Sequence, residues 1–67
     1  MILIKVNNNN YQFSKIISIQ ELIQELEIQG NGIAIAVNNT VIQKESWVTQ
    51  KLHNNDDVLI IKSTQGG

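Results

Sequence analysis

The stretch ISIQELIQELEIQG, residues 17–30, decides the fold because it specifies one amphipathic helix. Ser18 and Glu21 have the spacing of a capping box, which marks a helix start. The apolar residues that follow recur at helical spacing and leave a polar opposite face. Gly30 offers the left-handed residue that ends many helices. We therefore expect a single helix whose apolar face must lie on a sheet.

Two apolar runs near the ends of the chain predict the central strands of that sheet. ILIKV at residues 2–6 and VLIIK at residues 58–62 are apolar on both faces, as in strands that have neighbours on either side. A helix between two hairpins lies across one face of a mixed sheet. We therefore expect these first and last strands to be adjacent and parallel.

Two hairpins complete the predicted sheet. Four asparagines follow the first strand and predict a turn, since Asn tolerates left-handed backbone angles, with residues 11–13 as the returning strand. Residues 33–37 alternate large and small side chains. Asn38 and Asn39 then predict a two-residue turn into a short strand at residues 40–42.

The order of these elements is ββαββ, which predicts an α+β fold of the ubiquitin-like β-grasp type. One helix packs on one face of a mixed sheet, and residues 1–67 form a single domain. Residues 43–52 lack clean periodicity, so we expect turns and a short helical piece there, with Trp47 packed in the core or at its rim and not stacked on a ligand. Residues 63–67 follow the last strand, and we expect them to be a flexible tail.

Strand alternation also predicts a partner-binding face. If the large side chains of the sheet point to the helix, their neighbours point to the opposite face, where no other predicted element lies. An apolar sheet surface of this kind usually marks an interaction site. The residues expected there for partner binding are Leu3, Ala34, Ala36, Leu59 and Ile61.

Composition argues against several function classes. Five Lys, no Arg and a net charge of −1 give no basic stripe for nucleic acid. No apolar run approaches the ~20 residues that span a bilayer, and the N-terminal residues do not resemble a signal peptide, so we expect neither a membrane partner nor export. The absence of Cys excludes disulfides and thiolate metal sites.

The side chains predict neither a catalytic residue nor a metal site. His53 has no suitably spaced nucleophile or carboxylate, which favours a solvated loop position. Asp56 and Asp57 stand beside two asparagines, as turn-forming residues often do. GNG at residues 30–32 follows the predicted helix, so it cannot hold a phosphate at a helix N-terminus. Any chemistry must therefore lie at the α-carboxylate of Gly67.

The residues that carry a family resemblance are DDVLIIKSTQGG at residues 56–67 and VIQKESWVTQKL at residues 41–52, which contains Glu45 and Trp47. Together with the β-grasp order they resemble the ThiS family, the ubiquitin-like sulfur carriers of thiamin biosynthesis, over essentially the whole chain. Such proteins often have Gly-Asp in the final turn, where this chain has Asn55 followed by Asp. Asn adopts left-handed angles more readily than other non-glycine residues, so the turn is expected to survive.

The resemblance implies a function for the terminal glycines, Gly66 and Gly67. An E1-like adenylyltransferase would use ATP to adenylate the Gly67 carboxylate, and a sulfur relay from a cysteine desulfurase would convert it to a thiocarboxylate. Thiazole synthase would then take the sulfur. The chain would be a protein co-substrate without a bound cofactor, working in the cytoplasm or the plastid stroma. Because glycine reaches backbone angles closed to other residues, this pair suits a narrow active-site cleft.

Three alternatives share the fold. The small sulfur-carrier subunit of molybdopterin synthase would use the same chemistry, but such proteins tend to be longer and often have an Arg-containing helix start. A ubiquitin-like protein modifier would become attached to lysines, although Ser63, Thr64 and Gln65 do not match its basic residues. A β-grasp interaction domain would carry Gly-Gly by chance or truncation. A thiocarboxylate on Gly67 would support a sulfur carrier, and lysine adducts would support a modifier.

Overall fold

A five-stranded mixed sheet dominates the computed structural model, which describes residues 1–62. The predicted tail, residues 63–67, lies outside the described residues. The elements, in chain order, are β1 (Ile2–Val6), β2 (Asn9–Phe13), β3 (Ile17–Ser18), α1 (Ile19–Glu25), β4 (Ile33–Val37), β5 (Thr40–Ile42), a 3₁₀ helix (Lys44–Ser46), β6 (Lys51–Leu52) and β7 (Asp57–Lys62).

The strand order of the large sheet is β2-β1-β7-β4-β5. β1 and β7 are parallel neighbours at its centre, and the other pairs are antiparallel. Both central strands carry apolar residues on both faces, as expected for strands with neighbours on either side. The predicted adjacency of the first and last strands is therefore confirmed.

Asparagine pairs form both hairpin turns, because each turn needs two residues with positive φ. The first turn is shorter than predicted, since β2 begins at Asn9 and only two of the four asparagines form the turn. Asn7 and Asn8 have φ of 50° and 69°, and Asn38 and Asn39 have φ of 51° and 71°. Asn55, in the turn before β7, has φ of 72°. The prediction that Asn could replace Gly in this last turn is confirmed.

The start of α1 is the predicted capping box. Ser18 is the N-cap, and its hydroxyl accepts a hydrogen bond from the Glu21 backbone N–H at 3.1 Å. In return, the Glu21 carboxylate accepts one from the Ser18 N–H at 2.8 Å. Two backbone donors without helical partners are thus satisfied at the point where the chain turns from β3 into the helix.

The end of α1 differs from the prediction, since Gly30 does not terminate the helix. α1 ends at Glu25, and Glu27 adopts the left-handed conformation with φ of 57°. The N–H of Ile28 donates to the carbonyl of Ile23 at 2.9 Å, and that of Glu27 to Gln24 at 3.1 Å, as in a Schellman motif. Ile28 packs against the core, so tertiary contact ends the helix early.

The core lies between α1 and one face of the sheet. Trp47 is 2% exposed and donates its indole Nε1–H to the carbonyl of Ile42 at 3.2 Å, which confirms its predicted place in the core. The buried apolar residues alternate along β1, β4 and β7, as expected when only one face is covered. They are Ile4, Val6, Ile17, Ile19, Leu22, Ile23, Ile35, Val37, Trp47, Leu52, Val58 and Ile60.

A second, two-stranded sheet of β3 and β6 was not predicted. Ile17 pairs with Leu52, and Ser18 pairs with Lys51. A strand is recognised in a sequence by the alternation of apolar and polar residues over four or more positions. Segments of two residues are too short to show this alternation. The short helical piece predicted in the same crossover is confirmed by the 3₁₀ helix.

Across residues 1–62, no helix is both long and apolar enough to cross a membrane.

Candidate functional site

The sheet face turned away from α1, called the open face below, carries the residues predicted for partner binding. Leu59 and Ile61 are 48% and 51% exposed, whereas Ile60 between them is 8% exposed and belongs to the core. Ala34 is exposed and Ala36 half-buried. The alternation predicted from the sequence therefore places these residues as expected, while their role in binding stays a prediction.

Strand register arranges these side chains in two adjacent rows. Ala36 lies opposite Leu59 on one side and opposite Val41 of β5 on the other, and Ala34 lies opposite Ile61. Because the alanines are short, the larger side chains flank a shallow centre. The result is a low apolar surface formed by three neighbouring strands, which a flat partner surface could cover.

Val41 belongs to this surface, and the sequence analysis missed it. Its side chain is 70% exposed, and it lies directly beside Ala36. A signal was present in the two-residue turn at Asn38 and Asn39, because turn length fixes hairpin register. That register pairs Val37 with Thr40 and so brings Val41 onto the open face.

Leu3 lies on the same face but at its other end. The backbone N–H of Asn55 donates to the Leu3 carbonyl at 2.6 Å, so Leu3 is beside the turn that precedes β7. Leu59 is four residues further along, about 13 Å at the usual rise of a strand. Lys5 and Asp57 pair in register between the two. Four of the five residues predicted for partner binding therefore lie together in the apolar rows, and Leu3 lies apart from them on the same face.

The remaining polar candidates build a turn. Asp56 accepts hydrogen bonds from the His53 backbone N–H at 2.7 Å and from the Asn38 side-chain amide at 3.0 Å. The Asn38 amide oxygen accepts from the Asp57 N–H at 3.0 Å. The side chain of His53 is 68% exposed, with Nδ1 4.0 Å from Asp56 Oδ2. His53 and Asp56 have the loop and turn positions predicted for them, whereas Asp57 is already the first residue of β7.

No cluster of three or more potential metal-ligating His, Asp or Glu side chains occurs within residues 1–62. The GNG segment follows α1, and only its second glycine, Gly32, has positive φ, at 74°. A Cβ on Gly30 would make ordinary contacts with Trp47 and Ile23. This segment is therefore a connection packed on the core, as its position after the helix indicated.

A polar groove of about 530 Å³ lies between the end of β2 and α1. Its most perturbed group is Glu21, whose pKa is lowered chiefly because its carboxylate accepts the backbone N–H of Ser18. That carboxylate is already engaged in the helix cap. The groove is lined by Gln12, Phe13, Ser14, Lys15, Ile17, Glu21, Gln24 and Glu25.

Gly66 and Gly67, predicted as the reactive tail motif, lie outside the described residues, so the structure does not test their role. What it does describe is the strand that leads to them. β7 runs to Lys62 and carries Leu59 and Ile61 of the open face. The candidate binding surface and the segment that contains the glycines are therefore consecutive along the chain.

Comparison with known proteins identifies the family. The family model of ThiS matches residues 4–67, from the first strand through Gly67. The chain belongs to the ThiS family. Among its relatives, the sulfur carrier protein ThiS of Escherichia coli (strain K12) is 26% identical over 50 residues, which are 75% of this chain and 76% of that protein.

Two solved structures share the fold of this ThiS family member. The crystal structure of the thiamine biosynthesis protein ThiS from Geobacter metallireducens has a TM-score of 0.87 at 19% identity and covers 98% of this chain and 100% of that one. An NMR solution structure of a thiamine biosynthesis protein from the same organism has a TM-score of 0.78 at 17% identity, covering 98% and 88%. These likenesses confirm the predicted β-grasp fold.

Proposed function

We propose that this chain is a sulfur carrier protein of thiamin biosynthesis and that its reactive group is the α-carboxylate of Gly67. The observation that carries this proposal is the match to the ThiS family through Gly67, together with the relative whose name is sulfur carrier protein ThiS.

The proposed chemistry begins with activation, because a carboxylate is a poor electrophile. The Gly67 carboxylate attacks the α-phosphorus of ATP on an E1-like adenylyltransferase, and pyrophosphate leaves. A persulfide supplied by a cysteine desulfurase relay then attacks the acyl carbon and expels AMP. Reductive cleavage of the acyl disulfide by a thiol leaves the thiocarboxylate. Thiazole synthase takes its sulfur for the thiazole ring, so the chain acts as a co-substrate and ATP is bound by the activating enzyme.

We further propose that the open face docks the adenylyltransferase. The two rows of this face form an apolar surface that contains no charged side chain. They consist of Leu59, Ala36 and Val41 in one row and of Ile61 and Ala34 in the other. Because Gly67 follows the last residue of β7 by five residues in the chain, an enzyme bound to this strand also limits where the carboxylate can reach. Thiazole synthase faces the same geometric requirement and would use an overlapping surface. All these steps belong to the compartment that makes the protein, the cytoplasm or the plastid stroma.

Intact-protein and fragment mass spectrometry tests the proposed function. The protein is incubated with its E1-like adenylyltransferase, ATP, a cysteine desulfurase relay and cysteine, and the expected product has one oxygen replaced by sulfur at Gly67. Oxidation of methionine changes the mass by nearly the same amount, but the one methionine is Met1. Fragments from the C-terminal side therefore distinguish the two modifications.

A chain that ends at Gly66 is the matched control and should remain unmodified. Unmodified full-length protein in the presence of an enzyme shown to be active would overturn the proposal. Adducts of Gly67 with lysine side chains would favour the protein modifier instead. Supplying the thiocarboxylated protein separately to thiazole synthase and to the large subunit of molybdopterin synthase identifies which of them receives the sulfur.

A further inference from the structure

Asn7 makes three hydrogen bonds with β7. Its backbone N–H donates to the carbonyl of Val58 at 3.0 Å and so completes the parallel ladder between β1 and β7. Its side chain then reaches the next accessible peptide groups on the strand. The amide oxygen accepts from the Ile60 N–H at 2.8 Å, and the amide nitrogen donates to the Ile60 carbonyl at 3.2 Å.

These two side-chain hydrogen bonds satisfy the peptide groups of Ile60 at a point where no neighbouring strand does so on that edge of β7. The paired register of β1 with β7 stops at Val6 and Val58, where the chain turns away into β2. On its other edge, β7 remains paired with β4 as far as Lys62. Because a primary amide carries both a donor and an acceptor, Asn7 satisfies Ile60 as a neighbouring peptide would.

The braced residue lies between two residues of the open face. Ile60 points into the core, and Leu59 and Ile61 on either side point outward. Fixing the peptide groups of Ile60 therefore also fixes the directions of both outward side chains. Without this brace, the second half of β7 would be held on one edge alone.

We propose that Asn7 is a positioning residue for activation of the chain, because it holds Leu59 and Ile61 in the arrangement that the adenylyltransferase binds. This inference rests on the proposed function. It adds a residue of the hairpin turn that borders the apolar surface beside Ala36 and Leu59 and acts through the backbone of β7. Preorganisation of this kind lowers the ordering cost that binding must overcome.

The test uses glycine substitutions, since the backbone of this turn requires positive φ. Asn7→Gly removes the side-chain amide, and glycine adopts the φ of 50° at this position without strain. Asn8→Gly makes the same backbone change at φ of 69° in the same turn and leaves the Ile60 hydrogen bonds in place. The pair therefore separates the amide contacts from the effect of glycine on the unfolded chain.

The first measurement is amide hydrogen exchange at Ile60. Asn7→Gly should accelerate exchange at this amide relative to the wild-type protein, whereas Asn8→Gly should change it little. Asn7→Asp is an informative intermediate, because a carboxylate can still accept from the Ile60 N–H but cannot donate to its carbonyl. Equal exchange at Ile60 in both glycine variants would show that Asn7 does not brace the strand.

The second measurement is steady-state ATP–pyrophosphate exchange with the E1-like adenylyltransferase. Asn7→Gly should raise the KM for the carrier by about tenfold, the order expected for the loss of both side-chain hydrogen bonds to Ile60, with kcat nearly unchanged because the bound enzyme restores the strand. Asn7→Asp should lie between it and the wild type. A purely structural role would lower the unfolding midpoint without this KM effect at a temperature where all variants are folded.

The outcomes separate this inference from the proposed function. If the wild-type protein is adenylated and Asn7→Gly has the KM of Asn8→Gly, the positioning role is wrong and the sulfur-carrier function stands. If the wild-type protein supports no exchange with an enzyme active on another carrier, the proposed function fails, and with it the positioning role.

Discussion

Ala36 lies directly opposite Leu59, with Val41 on its other side, so three strands contribute one apolar row to the open face. Because the alanine side chain is short, the centre of this row is a shallow depression between the two larger side chains. Ile61 stands opposite Ala34 in the next row and lies nearer to Gly67 in the chain. A charge placed at Ile61 would therefore disturb the docking surface at the end from which the reactive segment continues.

Ile61→Asp should weaken binding to both the adenylyltransferase and thiazole synthase, by about tenfold or more, because burying an unpaired carboxylate is costly. The fold should persist, since the side chain is 51% exposed and lies outside the core. Binding to each enzyme is measured by isothermal titration calorimetry, and folding by circular dichroism. Competition between the two enzymes for wild-type carrier tests whether their surfaces overlap.

Val48→Asp provides the matched control, because Val48 is 65% exposed and lies outside the large sheet. It adds the same charge and should leave both affinities unchanged. Leu3→Asp probes the far end of the open face, beyond Lys5 and Asp57, and should have a smaller effect than Ile61→Asp. Normal binding of both enzymes by folded Ile61→Asp protein would place the interface elsewhere.

Local signals in the sequence were sufficient for most of this architecture. Asparagines indicated both hairpin turns, although only two of the first four form theirs, and Ser18 with Glu21 specified the helix start, because these features depend on residues close together in the chain. The helix end was mispredicted, since packing of Ile28 on the core outweighed the conformational freedom of Gly30.

The separation of Leu3 from the apolar rows depends on the register between β1 and β7. Those strands are parallel and joined through the rest of the chain, so no turn length reveals how they align. The bracing contact of Asn7 with Ile60 was hidden for the same reason. Alternation predicts which face a residue occupies, whereas long-range register determines its neighbours.

Removal of Gly67, or of Gly66 and Gly67 together, should abolish adenylation without unfolding the domain. The last strand ends at Lys62, and the core cluster includes no residue beyond Ile60 among those described. The unfolding midpoint should therefore match that of the full chain, while ATP–pyrophosphate exchange disappears. A large drop in the midpoint would mean that the glycines contribute to the fold, contrary to the proposed role.

Ser18→Ala should lower the free energy of unfolding by about 1 kcal/mol through loss of the N-cap hydrogen bond. The Ser18 hydroxyl accepts from the Glu21 N–H, and its residue is buried, so water cannot readily replace the contact. Urea denaturation measures the change. Ser14→Ala, at an exposed position, is the control and should change the midpoint little. Equal midpoints for the two variants would show that the cap contributes nothing.

The Glu21 carboxylate should give the domain a component of acid sensitivity. Its pKa is lowered from the ordinary value of 4.5, chiefly by the Ser18 backbone N–H that it accepts. A carboxylate whose pKa falls on folding stabilises the protein above its unfolded pKa, and this stabilisation is lost as the pH falls through the lower folded pKa. The loss should therefore begin below pH 4.5.

Glu21→Gln tests this assignment, because a Gln at this position can still accept from the cap N–H but cannot be protonated in this range. Its unfolding midpoint in urea should fall less steeply with decreasing pH than that of the wild-type protein. Glu25→Gln removes an exposed carboxylate that lies outside the capping box of the same helix, and Glu21→Gln should flatten the pH dependence more than this comparison variant does. If Glu21→Gln and the wild type lose stability in parallel below pH 4.5, the capping carboxylate does not determine the acid response.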